Sequence, residues 1–447
     1  MIRKLTMRAV SVIVSLISAA TVWTQNPFIT NQFTADPSAR VFGNRVYVFP
    51  SHDIPAPDGK NLRKDWFCME DYHVFSSENL VDWTDHGVIV TQNKVPWVKP
   101  DSYAMWAPDA IERNGKYYFY FPAAPKDSTI GRGFTIGAAV ANKPEGPYVP
   151  EEMPVKGVHG IDPGVFIDKK DGQAYLYWSQ GNLYGARLKA NMLELDSEVF
   201  TLKEFPTKGL KEGPYVFERN GIYYMSYPHV ENNIERLEYA TSDNPLGPFK
   251  FAGVIMDESP TGCWTNHHSV LQFNNQWYLF YHHNDLSPRF DKNRSVRIDS
   301  LFFNSDGTIK KVIPTLRGVG LSDAFKEIQV DRYSRIGGAT VDFMDSLNTF
   351  GGWKTRFTKA GNWVQYNSVD FGSRKAKTAI IRVKSDADAV VQISTKHNLV
   401  IAEGKWGKKS GWSDVKIPVK NMPKGVNDLM ITLKAGKEVE VDWIKFE

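Results

Sequence analysis

Apolar and polar positions alternate in short runs along most of this chain, and Asn, Asp and Gly break the runs, as in β-strands joined by tight turns. One phrase recurs: an apolar stretch, a polar turn, then an aromatic-rich alternating stretch. Its five copies are Val41–Ser51, Ile111–Phe121, Phe166–Trp178, Phe217–Tyr227 and Leu271–Tyr281. Each predicts a β-hairpin, with Asn44, Asn114, Asp171, Asn220 and Asn274 at the turns. The turns are 49 to 70 residues apart, the size of a propeller blade. Five such units predict a five-bladed β-propeller, whose ring closes without long exposed edges. Outer-strand patterns at Phe75–Trp83, Gly137–Tyr148 and Glu238–Phe249 agree, and no convincing amphipathic helix longer than two turns interrupts them.

The repeat stops after Leu316. From about Ile328 a second set of alternating segments runs to Glu447, among them AIIRVKS, AVVQIST and VEVDWIKF. These predict a β-sandwich of jelly-roll or immunoglobulin-like size. At the other end Arg3, Lys4 and Arg8 precede the apolar run Ala9–Ala20, which closes on small residues. That is the layout of a secretory leader, too short for a comfortable membrane span. The expected organisation is a leader over 1–25, an all-β propeller over 26–318 and a sandwich over 319–447. The expected location is secreted or periplasmic, with no membrane contact once the leader is removed.

A net charge of +4 over 447 residues, with no basic block interleaved with aromatics, argues against a nucleic-acid partner. Two cysteines, Cys68 and Cys263, fall in the first and last blades, which a closed ring makes neighbours. A disulfide is compatible with export, but Trp66, Phe67 and Met69 around Cys68 favour a buried free thiol.

Candidate chemistry lies just ahead of each phrase, where the innermost strand starts beside the central axis. Asp36, Trp106, Asp162, Glu212 and the pair His267–His268 occupy that phase. A lone Asp-Pro is an ordinary turn opener. Three carboxylates at one phase of a five-fold repeat point to an axial catalytic pocket. Crowded carboxyls do not ionise alike, and glycosidic cleavage needs one protonated and one ionised. Glu212 has the reach for the acid; an Asp would serve as base and the third carboxylate would keep the acid protonated. Trp106 would form a wall of the sugar pocket. His52 and Asp53, at the open face, are candidates for substrate contact or a turn, as are Asp71 and Tyr72. His282, His283, Asn284 and Asp285 form a second polar cluster, read as rim or core hydrogen-bonders.

These motifs resemble glycoside hydrolase family 43. The match covers about Asn26 to Val312: Ala35-Asp36-Pro37, Ile161-Asp162-Pro163, Glu212-Gly213-Pro214, Trp106-Ala107-Pro108-Asp109, His267 in NHHS, and Arg294-Ser295-Val296. The resemblance implies Asp36 as general base, Asp162 as pKa modulator and Glu212 as general acid. It also implies a substrate hydroxyl on Arg294, and His267 beside the pocket at a structural Ca²⁺ or water, with no cofactor required. Sister fructan hydrolases carry different motifs.

The tail resembles carbohydrate-binding module family 6 through Gly361–Gly372, Ser410–Val419 and Val441–Glu447. It departs from that pattern at Glu440, where the family has a sugar-binding Asn, and at Gln329-Val330-Asp331, a degraded calcium element. Trp412 fits a binding loop, whereas Trp363 and Trp443 read as core. The family resemblance implies an exported, inverting exo-glycosidase on plant polysaccharide side chains, foremost an α-L-arabinofuranosidase. β-D-Xylosidase and exo-β-galactosidase are the alternatives, and a non-catalytic glycan-binding propeller is the distant one. An oligosaccharide or polysaccharide is the expected partner.

Overall fold

The computed structural model describes residues 26–60, 62–203 and 208–447. The leader expected over 1–25 lies outside the described residues. The first blade is an antiparallel sheet of β1 (Phe33–Phe42), β2 (Arg45–Asp53), β3 (Met69–Ser77) and β4 (Thr84–Thr91). Four more sheets repeat this meander, their innermost strands at Asp109–Arg113, Ile161–Ile167, Tyr215–Arg219 and Ser269–Phe273. The hairpins form where the alternation predicts them. Arg113 pairs with Lys116 and Arg219 with Ile222. The intervening Asn114-Gly115 and Asn220-Gly221 all have positive φ, as a two-residue I′ turn requires.

Both faces of each blade are apolar because each packs against a neighbour, so the core is divided among the five blade junctions. Phe49 meets Phe119 between blades one and two, with ring centroids 5.9 Å apart. Tyr120 and Leu176 share the next junction, Tyr177 and Met225 the third, Tyr239 and Leu279 the fourth. Val48 and Phe280 pack at the fifth, which closes the ring.

Backbone pairing seals that closure. Asn26 Nδ2 donates to the carbonyls of Ile298 (3.0 Å) and Thr315 (2.8 Å), and the Ile298 amide donates to Asn26 Oδ1 (2.8 Å). Phe28 and Thr34 amides donate to Val296 and Arg294 carbonyls. The N-terminal segment therefore zips onto blade five.

The C-terminal unit is a sandwich of two six-stranded sheets around one apolar core, including Tyr366, Ile381, Val391 and Ile444. Trp443 is buried as expected, while Trp363 is half-buried, its ring lying over Gly337. The degraded calcium element carries an ion pair instead, Arg332 Nε to Asp331 at 2.7 Å. Arg332 also donates to the Asn26 carbonyl, and Arg317 donates to the Asn367 carbonyl at 3.0 Å, so sandwich and ring closure share a seam. Cys68 and Cys263 are buried free thiols. Among the described residues no helix is long and apolar enough to cross a membrane.

Asn26→Ala strands buried partners on blade five and should cost about 2–4 kcal/mol, at roughly 1 kcal/mol per buried hydrogen bond lost plus desolvation. Scanning calorimetry should show a lower unfolding midpoint. An unchanged midpoint would mean that the ring does not depend on this closure.

Candidate active site

All three predicted carboxylates sit where the innermost strand is broken. The β1–β2 register slips between Ala35 and Ser38, around Asp36-Pro37. The third blade slips beside Asp162-Pro163. In the fourth blade Leu210–Lys211 and Tyr215–Arg219 both pair with Ile222–Val230, leaving Glu212-Gly213-Pro214 as the gap between them. Proline has no amide to donate, so the ladder cannot run through these points. Asp36 (φ 48°) and Asp162 (φ 58°) adopt the left-handed region, a strained choice typical of functional positions. Each break points a carboxylate into the axial cavity.

Two glycines allow the close approach. A Cβ on Gly164 would lie 2.1 Å from the Pro214 carbonyl oxygen. Gly213 (φ 54°) packs against the His267 ring, where a Cβ would come within 2.9 Å.

The cavity holds about 200 Å³ and is lined by Asp36, Asp162, Glu212, Glu235, His267, Arg294 and the aromatic residues Trp66, Phe67, Trp106 and Trp264. Larger hollows at the domain seam (about 570 Å³) and around the far ends of the inner strands (about 870 Å³) do not contain this carboxylate set.

Asp36 is 4% exposed and held from three sides. Arg294 donates from Nη1 to Oδ1 (2.8 Å) and from Nη2 to Oδ2 (3.1 Å). Ser51 Oγ donates to Oδ2 at 2.6 Å. Its amide donates to His282 Nδ1 at 3.0 Å, which fixes the tautomer, so His282 Nε2–H donates to Thr265 Oγ1. Burial opposes ionisation of Asp36, but the Arg294 charge foremost, with the Ser51 hydrogen bond, holds its carboxyl below the usual range. Burial and the Arg294 charge keep His282 neutral.

Across the cavity the balance reverses. Burial pushes Asp162 up to about 7, although Ser179 Oγ (3.0 Å) and the Gly213 amide (3.1 Å) donate to it. Glu212 is raised well above the ordinary carboxyl range by burial, by the Glu235 charge and by a hydrogen bond to Glu235. Glu235, fixed by the Asn266 amide at 2.7 Å, is the acceptor of that bond. One buried carboxylate is thus stabilised as an anion and another as an acid.

Trp106 and His267 line the cavity as expected, and Arg294 does so while fully engaged with carboxylates. Asp53 is 1% exposed and does not line the cavity. It clamps Arg294, accepting from its amide (2.8 Å), Nε (2.9 Å) and Nη2 (2.9 Å). His52 is outside the cavity, on the opposite face of β2 from Ser51 and Asp53, bonded to Asp71. The expectation that His52 and Asp53 contact substrate is therefore corrected: neighbours on a strand face opposite ways, and Asp53 is spent on Arg294. The second polar cluster is structural: His282 supports Asp36, Asp285 pairs with Arg297, and Asn284 accepts from Thr261. His268 is bonded to Ser226.

Calcium does not fit His267 as a protein-held ligand, since among the described residues no two further His, Cys, Asp or Glu side chains join it in ligating range. A hard cation also prefers oxygen donors. Glu235, Trp66, Phe67 and Trp264 were absent from the sequence-derived set. They carry no turn motif and do not share the phase of the inner strands.

Two family models match the chain: Glycosyl hydrolases family 43 over residues 24–309, and Carbohydrate binding module (family 6) over residues 333–447. A xylosidase/arabinosidase 43A from Humicola insolens is 37% identical, over 63% of this chain and 98% of its own length. An arabinoxylan arabinofuranohydrolase from Paenibacillus polymyxa is 27% identical, over 91% of this chain and 71% of its own. A solved GH43 beta-xylosidase/alpha-arabinofuranosidase from a compost microbial metagenome, in complex with xylotriose and calcium-free, superposes with a TM-score of 0.57 at 36% identity, covering 64% of this chain and 97% of that one.

Glu235→Gln removes the charge that raises Glu212 and keeps an amide oxygen as acceptor, so the Glu212 pKa should fall. The alkaline limb of kcat/KM should then move to lower pH, with the acid limb unmoved. A pH–rate profile that keeps its alkaline limb would show that Glu235 does not tune Glu212.

Proposed function

The chain belongs to glycosyl hydrolases family 43, and we propose that it is an exported exo-enzyme that removes single α-L-arabinofuranosyl units from arabinoxylan with inversion of configuration. The observation carrying this reading is the division of protonation states across one small cavity: Asp36 held ionised and Glu212 held protonated. In this scheme Glu212 gives its proton to the glycosidic oxygen as that bond breaks. Water attacks the anomeric carbon from the opposite face and passes a proton to Asp36, so charge and protons balance. Burial and the neighbouring Glu235 charge keep the acid protonated until the leaving group needs it, and Asp162 lines the same side of the cavity.

A cavity of about 200 Å³ is below the usual range for ligand pockets of roughly 300–1,000 Å³, which favours one sugar at a time. The terminal unit would rest on Trp106 and the neighbouring aromatic rings, with His267 at its edge. Arabinofuranose is favoured because a propeller relative is named a xylosidase/arabinosidase and a relative matching 91% of this chain is named an arabinoxylan arabinofuranohydrolase. β-D-Xylose is the second reading, supported by the double names of the propeller relatives and by the xylotriose complex of the metagenomic enzyme.

Sugar binding by the sandwich would be weak at the usual loop position. Glu440, where a neutral amide is expected, is ion-paired with Lys354 (3.0 Å) and Lys384 (3.6 Å) and so is not free to grip a hydroxyl. Export rests on the leader pattern in 1–25.

Aryl α-L-arabinofuranoside should be turned over faster than aryl β-D-xyloside or β-D-galactoside, and Glu212→Gln should lower kcat on the natural polymer by about 10²–10⁴-fold. Proton NMR should show the inverted anomer first. A preference for xyloside would replace the sugar and leave the mechanism; net retention would overturn the mechanism.

A further inference from the structure

Outside the catalytic cavity, three potential ligands converge on the first blade. Asp71 and His73 are two apart on β3 and so share one face, and His52 lies opposite them on β2. His52 Nδ1 donates to Asp71 Oδ1 at 2.7 Å, and His73 Nε2 lies 4.0 Å from the same oxygen. One ligating atom from each falls within 4.8 Å of the others, and all three side chains are half-buried rather than splayed into solvent.

A second layer of contacts orients this set. His73 Nδ1–H donates to Asp85 Oδ1 at 3.1 Å, leaving the lone pair on Nε2, the nitrogen nearer Asp71. Asp85 is held in turn by Gln32 Nε2 at 3.0 Å. A carboxylate behind a ligating histidine is the usual outer partner at a metal centre. His73 also stacks on Phe75, with centroids 6.0 Å apart and planes 16° from parallel, which fixes the ring. Thr34, paired with His52 across β1 and β2, places a buried hydroxyl without a hydrogen-bond partner on that face.

We propose that His52, Asp71 and His73 form a binding site for a divalent transition-metal ion of the zinc type, with a fourth position open to water. Two imidazoles and one carboxylate suit such an ion, whereas calcium and magnesium want oxygen alone. The ion takes the place of the proton that His52 now donates to Asp71. The 2.7 Å separation opens to about 3.3 Å, as two ligands about 2.05 Å from a tetrahedral centre require, and the displaced proton passes to Nε2 of the same ring. The site lies beside Ser51 and Asp53, which hold Asp36 and Arg294, so a bound ion pins β2 to β3 directly behind the catalytic base.

Titration of untagged protein with Zn²⁺ against a chromophoric chelator should show one bound equivalent, and Ca²⁺ should not compete. His73→Ala and Asp71→Asn should each weaken binding at least tenfold, and Asp85→Asn by about 10–100-fold. Unaltered Zn²⁺ affinity in both His73→Ala and Asp71→Asn would overturn the site. Should those variants fail to fold, Co²⁺ added to the unmutated protein provides the test. Visible d–d bands of a four-coordinate nitrogen–oxygen site are expected, and their absence would overturn the proposal.

Discussion

The guanidinium of Arg294 is the interaction on which site and ring both depend. It arises where blade five begins its outer strand and spans two carboxylates of blade one, Asp36 and Asp53. All three groups are buried, and the pair of anions makes the arginine hard to deprotonate. Breaking a buried ion pair by removing one partner costs about 3–5 kcal/mol, because the survivor keeps its desolvation penalty. Blade five meets blade one only when the ring closes. Closing the propeller and placing Asp36 are therefore one event.

That arginine also divides the cavity electrically. A single cation lies at one side, and Glu212, Glu235 and Asp162 crowd the other. Beside the cation Asp36 is held ionised in spite of its burial. Away from it each added carboxylate charge raises the proton affinity of its neighbours. The opposed states that glycosidic cleavage needs follow from where one charge sits. Asp53 lies outside the cavity lining and acts through Arg294: by occupying Nε and one Nη2 donor it leaves the other donors to Asp36 and Thr265.

Much of this arrangement was legible in the sequence because a propeller writes its geometry in periodic form. Turns of Asn, Asp and Gly fixed the hairpins, and the hairpins fixed which residues begin each inner strand. That phase identified Asp36, Asp162, Glu212, Trp106 and His267 before any coordinates. Glu235 was hidden because it opens the third strand of blade four and reaches the cavity through a contact with Glu212, which no local pattern records. Trp66 and Phe67 come from the long connection between β2 and β3, where alternation gives no guidance. His52 was misread for the opposite reason. Alternation along β2 already separates Ser51 and Asp53 from His52, and the strand pattern should have outweighed its closeness to them in sequence.

The same long connection limits what the cavity can accept. Phe67 reaches from blade one to within 6.1 Å of the Trp106 ring and 6.3 Å of the Trp264 ring, centroid to centroid. Arg294 lies 4.8 Å from the centre of the Phe67 ring, and Arg63 lies 3.5 Å from that of Trp66. Cation–π contacts of about 0.5–2 kcal/mol each thus hold the aromatic wall against the groups that position the base. A polysaccharide running through a groove would have to displace that wall and loosen Arg294. A terminal sugar entering end-on does neither. Exo action and a firmly held Asp36 are two consequences of one insertion packed across the mouth of the propeller.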